Sequence, residues 1–133
     1  VPRTGSADKK GGGLTRKASG MKGTPRYMSP EVLMNPSGDY TEKVDVYGVA
    51  MTMWSMATCE VPYAHVQSAL DLVRIAHQHG VRPPMDYILQ TWPDFAQVLS
   101  KSWCHNPEER LSAQELIVML DRAWEALGSP NEG

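Results

Sequence analysis

The most constraining feature of this sequence is a nearly continuous apolar run of 16 residues from Val44 to Cys59. Thr41 is a suitable N-cap, so the run predicts a helix over about 42–59. The large apolar side chains surround the helix axis instead of forming one stripe: Val44, Val46, Tyr47, Val49, Met51, Met53, Trp54 and Met56. A helix that is apolar on every side is a buried one. We therefore expect a central helix with the rest of the chain packed around it.

Shorter helices are predicted on both sides of this run. Ser29-Pro30-Glu31 has the residue types that begin a helix, because Ser caps the N-terminus and Pro suits the first turn. Apolar spacing predicts further helices, with these inward residues: Val66, Leu70, Val73 and Ala76 within 66–78; Phe95, Val98, Leu99 and Trp103 within 92–104; and Leu116, Met119, Leu120, Ala123 and Trp124 within 113–127. The last two helices are preceded by capping-box spacings, Thr91 with Asp94 and Ser112 with Glu115. No segment alternates like a strand, so a mainly α fold is expected.

The charged residues divide the chain into a basic arm and an acidic body. Residues 1–26 contain seven of the thirteen Lys and Arg residues and a single acid, Asp8. Because the arm is rich in Gly, Ser and Thr, residues 1–22 are expected to form a flexible loop, and residues 129–133 a short tail. The arm lacks a nucleic-acid motif, and the apolar run is too short and too polar to span a membrane. Neither nucleic acid nor membrane is therefore an expected partner.

The chain contains only two cysteines, Cys59 and Cys104, and no Cys-x-x-Cys pair. A disulfide framework and a structural zinc site are therefore not expected, and no metal ligand is assigned. Free thiols are typical of a reducing compartment, which favours a cytoplasmic location.

The segment Gly23-Thr24-Pro25-Arg26-Tyr27-Met28-Ser29-Pro30-Glu31 resembles the end of the activation segment of protein kinases, which carries an Ala-Pro-Glu tripeptide. Further landmarks of that family follow in the same order: Asp45-Val46-Tyr47, Trp54, Pro62-Tyr63, Arg82-Pro83 and a Trp-x-x-x-Pro-x-x-Arg stretch over 103–110. The resemblance covers about residues 20–127 and is closest to Ser/Thr kinases of the tyrosine-kinase-like type. It implies that 23–128 is a partial kinase domain, the helical part of the C-terminal lobe of the two-lobed fold, without the N-terminal lobe and the catalytic loop.

The resemblance to kinases implies structural roles for four residues. Glu31 is expected to pair with Arg110 and so to tie the loop before it to the base of the lobe. Asp45 matches an Asp that accepts hydrogen bonds from the catalytic-loop backbone, and Trp54 is a landmark of the central helix. From the residues alone, Glu31 and Asp45 are equally consistent with acids at the positive ends of helix dipoles, and Arg110 with a surface charge.

The resemblance also implies substrate-binding and regulatory residues. Thr24 matches a threonine that contacts the catalytic Asp and Lys of Ser/Thr kinases, and Pro25 follows it in the same loop. Tyr27 and Met28 would line the pocket for the residue after the phosphoacceptor, and the alternative for both is simple packing. Two candidate phosphorylation sites for an activating kinase lie in the basic loop, where added negative charge orders such segments: Ser19 and Thr15.

The sequence contains no Gly-rich phosphate loop, strand Lys, His-Arg-Asp or Asp-Phe-Gly motif. Because phosphoryl transfer depends on those groups, no catalytic residue is assigned in this chain. We expect a fragment of a Ser/Thr kinase that is inactive and binds no cofactor alone, whereas the parent uses ATP and Mg.

Its expected partners are a protein substrate and the upstream half of the domain. The parent is expected in the cytoplasm or on the cytoplasmic side of a membrane receptor. The alternatives are a non-catalytic helical protein-binding module or pseudokinase remnant, and an inert product of a degraded gene.

Overall fold

The computed structural model describes residues 25–35 and 37–128, and these residues form helices joined by turns. The α-helices along these ranges are α1 (Pro30–Met34), α2 (Lys43–Thr58), α3 (Ala69–Val73), α4 (Asp86–Thr91), α5 (Pro93–Ser102) and α6 (Ala113–Ala126). Short 3-10 helices lie at Pro25–Tyr27 and Pro107–Glu109, and a π-helical turn at Arg74–Gln78 continues α3. The described ranges contain no strand, which confirms the mainly α fold. No helix within them has both the length and the apolar character needed to cross a bilayer.

Helix α2 lies at the centre of the core. Tyr47, Ala50 and Met51 have no exposed surface, and Val46 and Trp54 are 2% exposed. Helices α4, α5 and α6 pack against these residues. The predicted central helix is therefore present, and its buried side chains organise the other helices.

The ends of α2 differ by one residue from the prediction. Glu42, instead of Thr41, occupies the N-cap position and makes no side-chain cap hydrogen bond. The Thr41 hydroxyl still accepts a hydrogen bond from the Lys43 backbone N–H at 3.2 Å. At the other end Cys59 adopts the left-handed conformation, with φ of 59°, and this terminates the helix.

One face of α2 is exposed, although large apolar side chains surround the axis of this helix. Asp45, Val49, Thr52 and Met56 succeed one another at intervals of three or four residues and therefore share a face. Val49 is 42% exposed and Met56 is 70% exposed. No segment among the described residues covers these two side chains. We call these four residues the open face of α2.

The predicted helix over 66–78 begins later and faces a different direction. Ser68 caps it by accepting a hydrogen bond from the Asp71 N–H, and α3 starts at Ala69. Leu70 was expected to point inward but is 75% exposed, whereas Leu72 is 2% exposed. Leu72 therefore lies on the inner face of the helix, and Ala76, in the π turn that follows α3, is also buried.

The predicted helix over 92–104 corresponds to α5, which runs from Pro93 to Ser102, whereas α4 before it was not predicted. The Thr91 capping box is wrong, because Thr91 is the last residue of α4 and Trp92 is the N-cap of α5. Trp92 precedes Pro93, which disfavours helical backbone, and its φ of −137° and ψ of 75° break the helix there. Pro93 then suits the first turn of α5 because it has no N–H to satisfy.

Helix α6 begins as predicted, with a capping box between Ser112 and Glu115. Leu116 and Ala123 are buried and pack against α2 and α5. Trp124 was expected on the inner face but is 51% exposed. The inner face of α6 is therefore narrower than its sequence suggests.

Met51 and Met56 provide a matched test of the core, because they are the same residue type on the same helix. Met51→Ala removes a side chain that is 0% exposed and should lower the free energy of unfolding by about 2–5 kcal/mol. Met56→Ala, at a position 70% exposed, should change it by less than about 0.5 kcal/mol. Urea denaturation followed by circular dichroism measures both variants. Equal losses of unfolding free energy in the two variants would contradict the assigned core.

Candidate functional site

The candidate site is the segment 25–34, which we call the anchored loop. It consists of the 3-10 turn at Pro25–Tyr27 followed by the short helix α1. Pro30 lies in the first turn of α1, and Pro30 and Leu33 are buried. Ser29 occupies the predicted N-cap position without a side-chain cap hydrogen bond. A helix of five residues is not stable alone, so the position of α1 depends on tertiary contacts.

The strongest of these contacts is an ion pair between Glu31 and Arg110. Arg110 Nη1 donates to Glu31 Oε2 at 2.8 Å, and Nη2 donates to Oε1 at 2.7 Å. The Arg110 side chain has no exposed surface, and that of Glu31 is 21% exposed. Two parallel hydrogen bonds are the geometry in which a guanidinium matches a carboxylate. The ion pair implied by the kinase resemblance is therefore formed, across 79 positions of sequence.

The other hydrogen bonds of Arg110 go to backbone carbonyls. Nε donates to Cys104 O at 2.8 Å, Nη1 to Lys43 O at 2.9 Å and Nη2 to His105 O at 3.2 Å. Arg110 therefore uses the full donor capacity of a guanidinium. Lys43 adds to this junction, since its ammonium donates to the carbonyls of Pro107 and Arg110, each at 3.0 Å. One buried guanidinium thus connects the anchored loop, the start of α2 and the loop before α6.

The pKa of Glu31 reflects opposing effects. Burial of the carboxyl raises its pKa, whereas the hydrogen bonds from Arg110 and from the backbone, and the positive charge of Arg110, lower it. Together the lowering effects exceed the effect of burial, so the pKa of Glu31 lies below its ordinary value. Glu31 is therefore ionised at neutral pH, as the ion pair requires.

The Tyr47 ring lies against this junction. The guanidinium carbons of Arg110 and Arg82 are each 5.2 Å from the centroid of the Tyr47 ring, within cation–π range. Arg82 also donates to Trp103 O at 2.9 Å and to Ala76 O at 3.1 Å. Burial raises the pKa of the Tyr47 phenol, which stays neutral. The core helix therefore supports both arginines through one aromatic ring.

A second arginine, Arg26, fixes the first turn of the anchored loop, and sequence reasoning did not assign it a role. Its Nη2 donates to Val66 O at 2.7 Å, and its Nη1 donates to Tyr63 O and, at 3.4 Å, to Pro62 O. The only sequence signal for this contact is the position of Arg26 inside the kinase-like motif. Backbone carbonyls are present at every residue, so a sequence pattern does not reveal which of them an arginine reaches.

Among the predicted substrate-binding residues, Pro25, Tyr27 and Met28 lie in the anchored loop. Tyr27 packs partly buried against the main core. Tyr27 and Met28 also line an open groove of about 650 Å³ between the anchored loop and α2. Their role in binding a substrate stays a prediction. Three predicted site residues lie outside the described residues: Thr15, Ser19 and Thr24.

The two landmark residues of α2 have contrasting surroundings. Trp54 is 2% exposed, and its indole N–H donates to Pro84 O at 2.8 Å, which fastens α2 to the link before α4. Asp45 is exposed in the first turn of α2 and borders the same groove as Tyr27. Its carboxylate has no hydrogen bond or ion pair within the described part of the chain. Trp54 therefore has a packing role, and Asp45 is available to a further partner.

The described residues carry no constellation typical of metal or redox chemistry. Over 25–35 and 37–128, no three His, Cys, Asp or Glu side chains cluster closely enough to hold a metal ion. Cys59 and Cys104 are free thiols. The arrangement is suited to holding a loop in place.

Comparison with known proteins agrees with the family resemblance that the Glu31–Arg110 pair supports. A family model described as a protein kinase domain matches residues 5–120. The chain is 36% identical over 101 residues to the dual specificity protein kinase shkD of Dictyostelium discoideum. It is 32% identical over 99 residues to the serine/threonine-protein kinase TNNI3K of Homo sapiens. It is 29% identical over 107 residues to the serine/threonine/tyrosine-protein kinase HT1 of Arabidopsis thaliana.

These alignments cover most of this chain but a small part of each relative. They include 75%, 74% and 80% of the chain, and 13%, 11% and 26% of shkD, TNNI3K and HT1 respectively. The chain therefore spans about a quarter or less of the length of the curated relatives it matches.

The lowered pKa of Glu31 predicts a specific pH dependence of stability. A carboxyl with a lowered folded-state pKa stabilises the fold above its unfolded pKa, here near 4.5, and loses that contribution as the pH falls through the folded value. Glu31→Gln removes this titration. We expect the gap in free energy of unfolding between wild type and variant to be largest at neutral pH and to narrow below about pH 4.5. Urea denaturation at a series of pH values measures the gap, and a constant gap would contradict the assignment.

Proposed function

Because this chain belongs to the protein kinase domain family, we propose that it is part of a Ser/Thr protein kinase and presents the protein substrate to the catalytic groups. In this proposal the anchored loop is the substrate-docking element. Thr24 contacts the catalytic Asp and Lys, and Pro25 follows it in the same loop. Tyr27 and Met28 line the pocket for the residue after the phosphoacceptor. The alternative role of these side chains is packing alone.

The observation that carries the proposal is the buried two-bond ion pair between Glu31 and Arg110. A docking loop contributes to catalysis only if it holds the substrate in a fixed place, since a misplacement of about 1 Å costs roughly a hundredfold in rate. Arg110 fixes one end of the anchored loop, and Arg26 fixes the other. A loop held at both ends by buried or half-buried arginines meets this requirement.

The open face of α2 supports the proposal that the upstream half of a kinase domain packs there. Val49 and Met56 expose apolar surface next to the unpartnered carboxylate of Asp45. Backbone N–H groups of the catalytic loop would donate to Asp45, and apolar side chains of the same half would cover Val49 and Met56. Burying this surface would stabilise the joined domain, because apolar area removed from water is the main favourable term in folding.

The residues of this chain do not fit the part of a kinase that holds ATP and Mg. The sequence has none of the phosphate-binding and metal-binding motifs, and its described part has no carboxylate cluster suited to a metal ion. In the proposal those groups belong to the upstream half. The joined domain would move the γ-phosphoryl group of ATP to a Ser or Thr hydroxyl and release ADP.

Regulation and location are also part of the proposal. Thr24 in its Gly-Thr-Pro context favours Ser and Thr over Tyr as acceptors. Phosphorylation of Ser19 or Thr15 by an activating kinase would place negative charge within the basic arm, where it orders such segments. A cytoplasmic location, or the cytoplasmic side of a membrane receptor, accords with free thiols at Cys59 and Cys104.

A chimaera tests this function. Residues 20–127 of this chain would replace the matching segment of the kinase domain of Dictyostelium shkD, which supplies the upstream half. The chimaera should phosphorylate Ser and Thr peptides, with less activity on Tyr peptides. Arg110→Ala should lower kcat/KM at least about tenfold, since it releases the docking loop from its anchor. Transfer of 32P from ATP to matched Ser, Thr and Tyr peptides is the measurement.

The matched control is Arg74→Ala, because Arg74 forms an exposed ion pair with Asp71 outside the anchored loop. It should leave kcat/KM within about twofold of the unmodified chimaera. A chimaera that folds and binds ATP but transfers no phosphate would refute the docking function. That outcome would favour the alternative, a non-catalytic helical binding module.

A further inference from the structure

A second cavity lies away from the anchored loop, between the end of α2, the start of α5 and the C-terminal half of α6. It is open to solvent and has a volume of about 410 Å³, within the range of small-molecule sites. We call it the aromatic pocket, because Trp92, Phe95 and Trp124 line it. The proposed kinase function does not use it, so an inference about this pocket stands independently.

The aromatic rings form adjacent walls of the pocket. The Trp92 and Phe95 rings meet at 84° with centroids 6.5 Å apart, so they form a corner. The Tyr87 ring contacts Trp92 edge to face at 5.7 Å and supports this corner. On the opposing helix, Trp124 is 51% exposed and Leu127 is 56% exposed. Large apolar side chains exposed together around a cavity are characteristic of binding surfaces.

Among the residues that the structure describes, Asp94 is the only charged one that lines the pocket. It lies in the first turn of α5, where the helix dipole favours a carboxylate without any ligand. It forms no hydrogen bond or ion pair with any described residue. What distinguishes Asp94 is its place in the lining of a pocket whose other described lining residues are apolar.

The combination of apolar aromatic walls with one carboxylate favours one class of ligand. An anion would be repelled by Asp94, and a neutral apolar molecule would cover the carboxylate without pairing it, which is unfavourable. A metal ion would meet a single carboxylate, without the further ligands that it needs. A cation with an apolar body satisfies both features, because aromatic ring faces and a carboxylate each attract positive charge.

We propose that the aromatic pocket binds a small organic cation, with its charged nitrogen beside Asp94 and its apolar body against Trp92, Phe95 and Trp124. The charge of Asp94 selects the cation, and the rings hold the body of the molecule.

Phenethylammonium and 2-phenylethanol are suitable probes, because they have similar size and shape and differ in charge. Isothermal titration of the whole chain should show phenethylammonium binding about 5 to 30 times more tightly than the alcohol, as expected of a charge-assisted hydrogen bond to the Asp94 carboxylate. Asp94→Asn should bring the affinity for the cation close to that for the alcohol and leave the alcohol unaffected. Trp124→Ala should weaken both probes, and its side chain is exposed enough for the fold to tolerate the change.

Asp86→Asn is the matched control, because Asp86 also lies in the first turn of a helix, α4, but does not line the pocket. It should change the affinity for phenethylammonium less than twofold. An equal loss in Asp86→Asn and Asp94→Asn would overturn the proposal in favour of unspecific charge attraction. Equal affinities of wild type for the two probes would also overturn it, and would identify a plain apolar surface. A dimer in sedimentation that Trp124→Ala dissociates, without cation binding, would reassign the pocket to self-association.

Discussion

The buried guanidinium of Arg110 is the group on which the rest of this structure depends. It pairs with Glu31 and donates to carbonyls at the start of α2 and in the loop before α6, so segments distant in sequence share one donor group. A buried charge that loses its partner costs several kcal/mol. None of these segments therefore moves away alone without a large penalty, and the position of the anchored loop follows from that constraint.

Two other arginines also hold segments of the chain in place through hydrogen bonds to backbone carbonyls. Arg26 and Arg82, like Arg110, donate to backbone carbonyls of segments that carry no regular hydrogen-bond ladder of their own. Helices α1, α3 and α4 have only five, five and six residues, so helix propagation contributes little to their order. Arginine side chains instead satisfy carbonyls of the neighbouring loops and so hold these segments to one another. These contacts give the anchored loop the rigidity that its proposed docking function requires.

The sequence predicted the parts of the fold that depend on local chemistry or on family landmarks. The Ser112–Glu115 capping box and the length of α2 follow from local residue types, and the Glu31–Arg110 pair followed from the resemblance to kinases. The sequence did not predict which side chains of α2 are exposed, Val49 and Met56, because an apolar pattern shows which side chains avoid water but not which neighbour covers them.

Other features were missed for related reasons. Helix α4 was not predicted, because a helix of six residues with one buried side chain, Ile88, shows little apolar spacing. Leu70 was assigned to the inner face because the start of its helix was placed three residues too early. The carbonyl partners of Arg26 depend on the path of the chain around 62–66, which only the folded structure reveals.

A double-mutant cycle on Glu31 and Arg110 tests the central claim most directly. The free energies of unfolding of wild type, Glu31→Gln, Arg110→Met and the double variant would be measured by urea denaturation, with trimethylamine N-oxide present throughout to keep weakened variants folded. The same cycle on the exposed Asp71–Arg74 pair is the reference. We expect a coupling energy of about 1.5–3 kcal/mol for the buried pair and at most about 0.5 kcal/mol for the exposed pair. Indistinguishable coupling energies for the two pairs would contradict the claim that Arg110 anchors the loop.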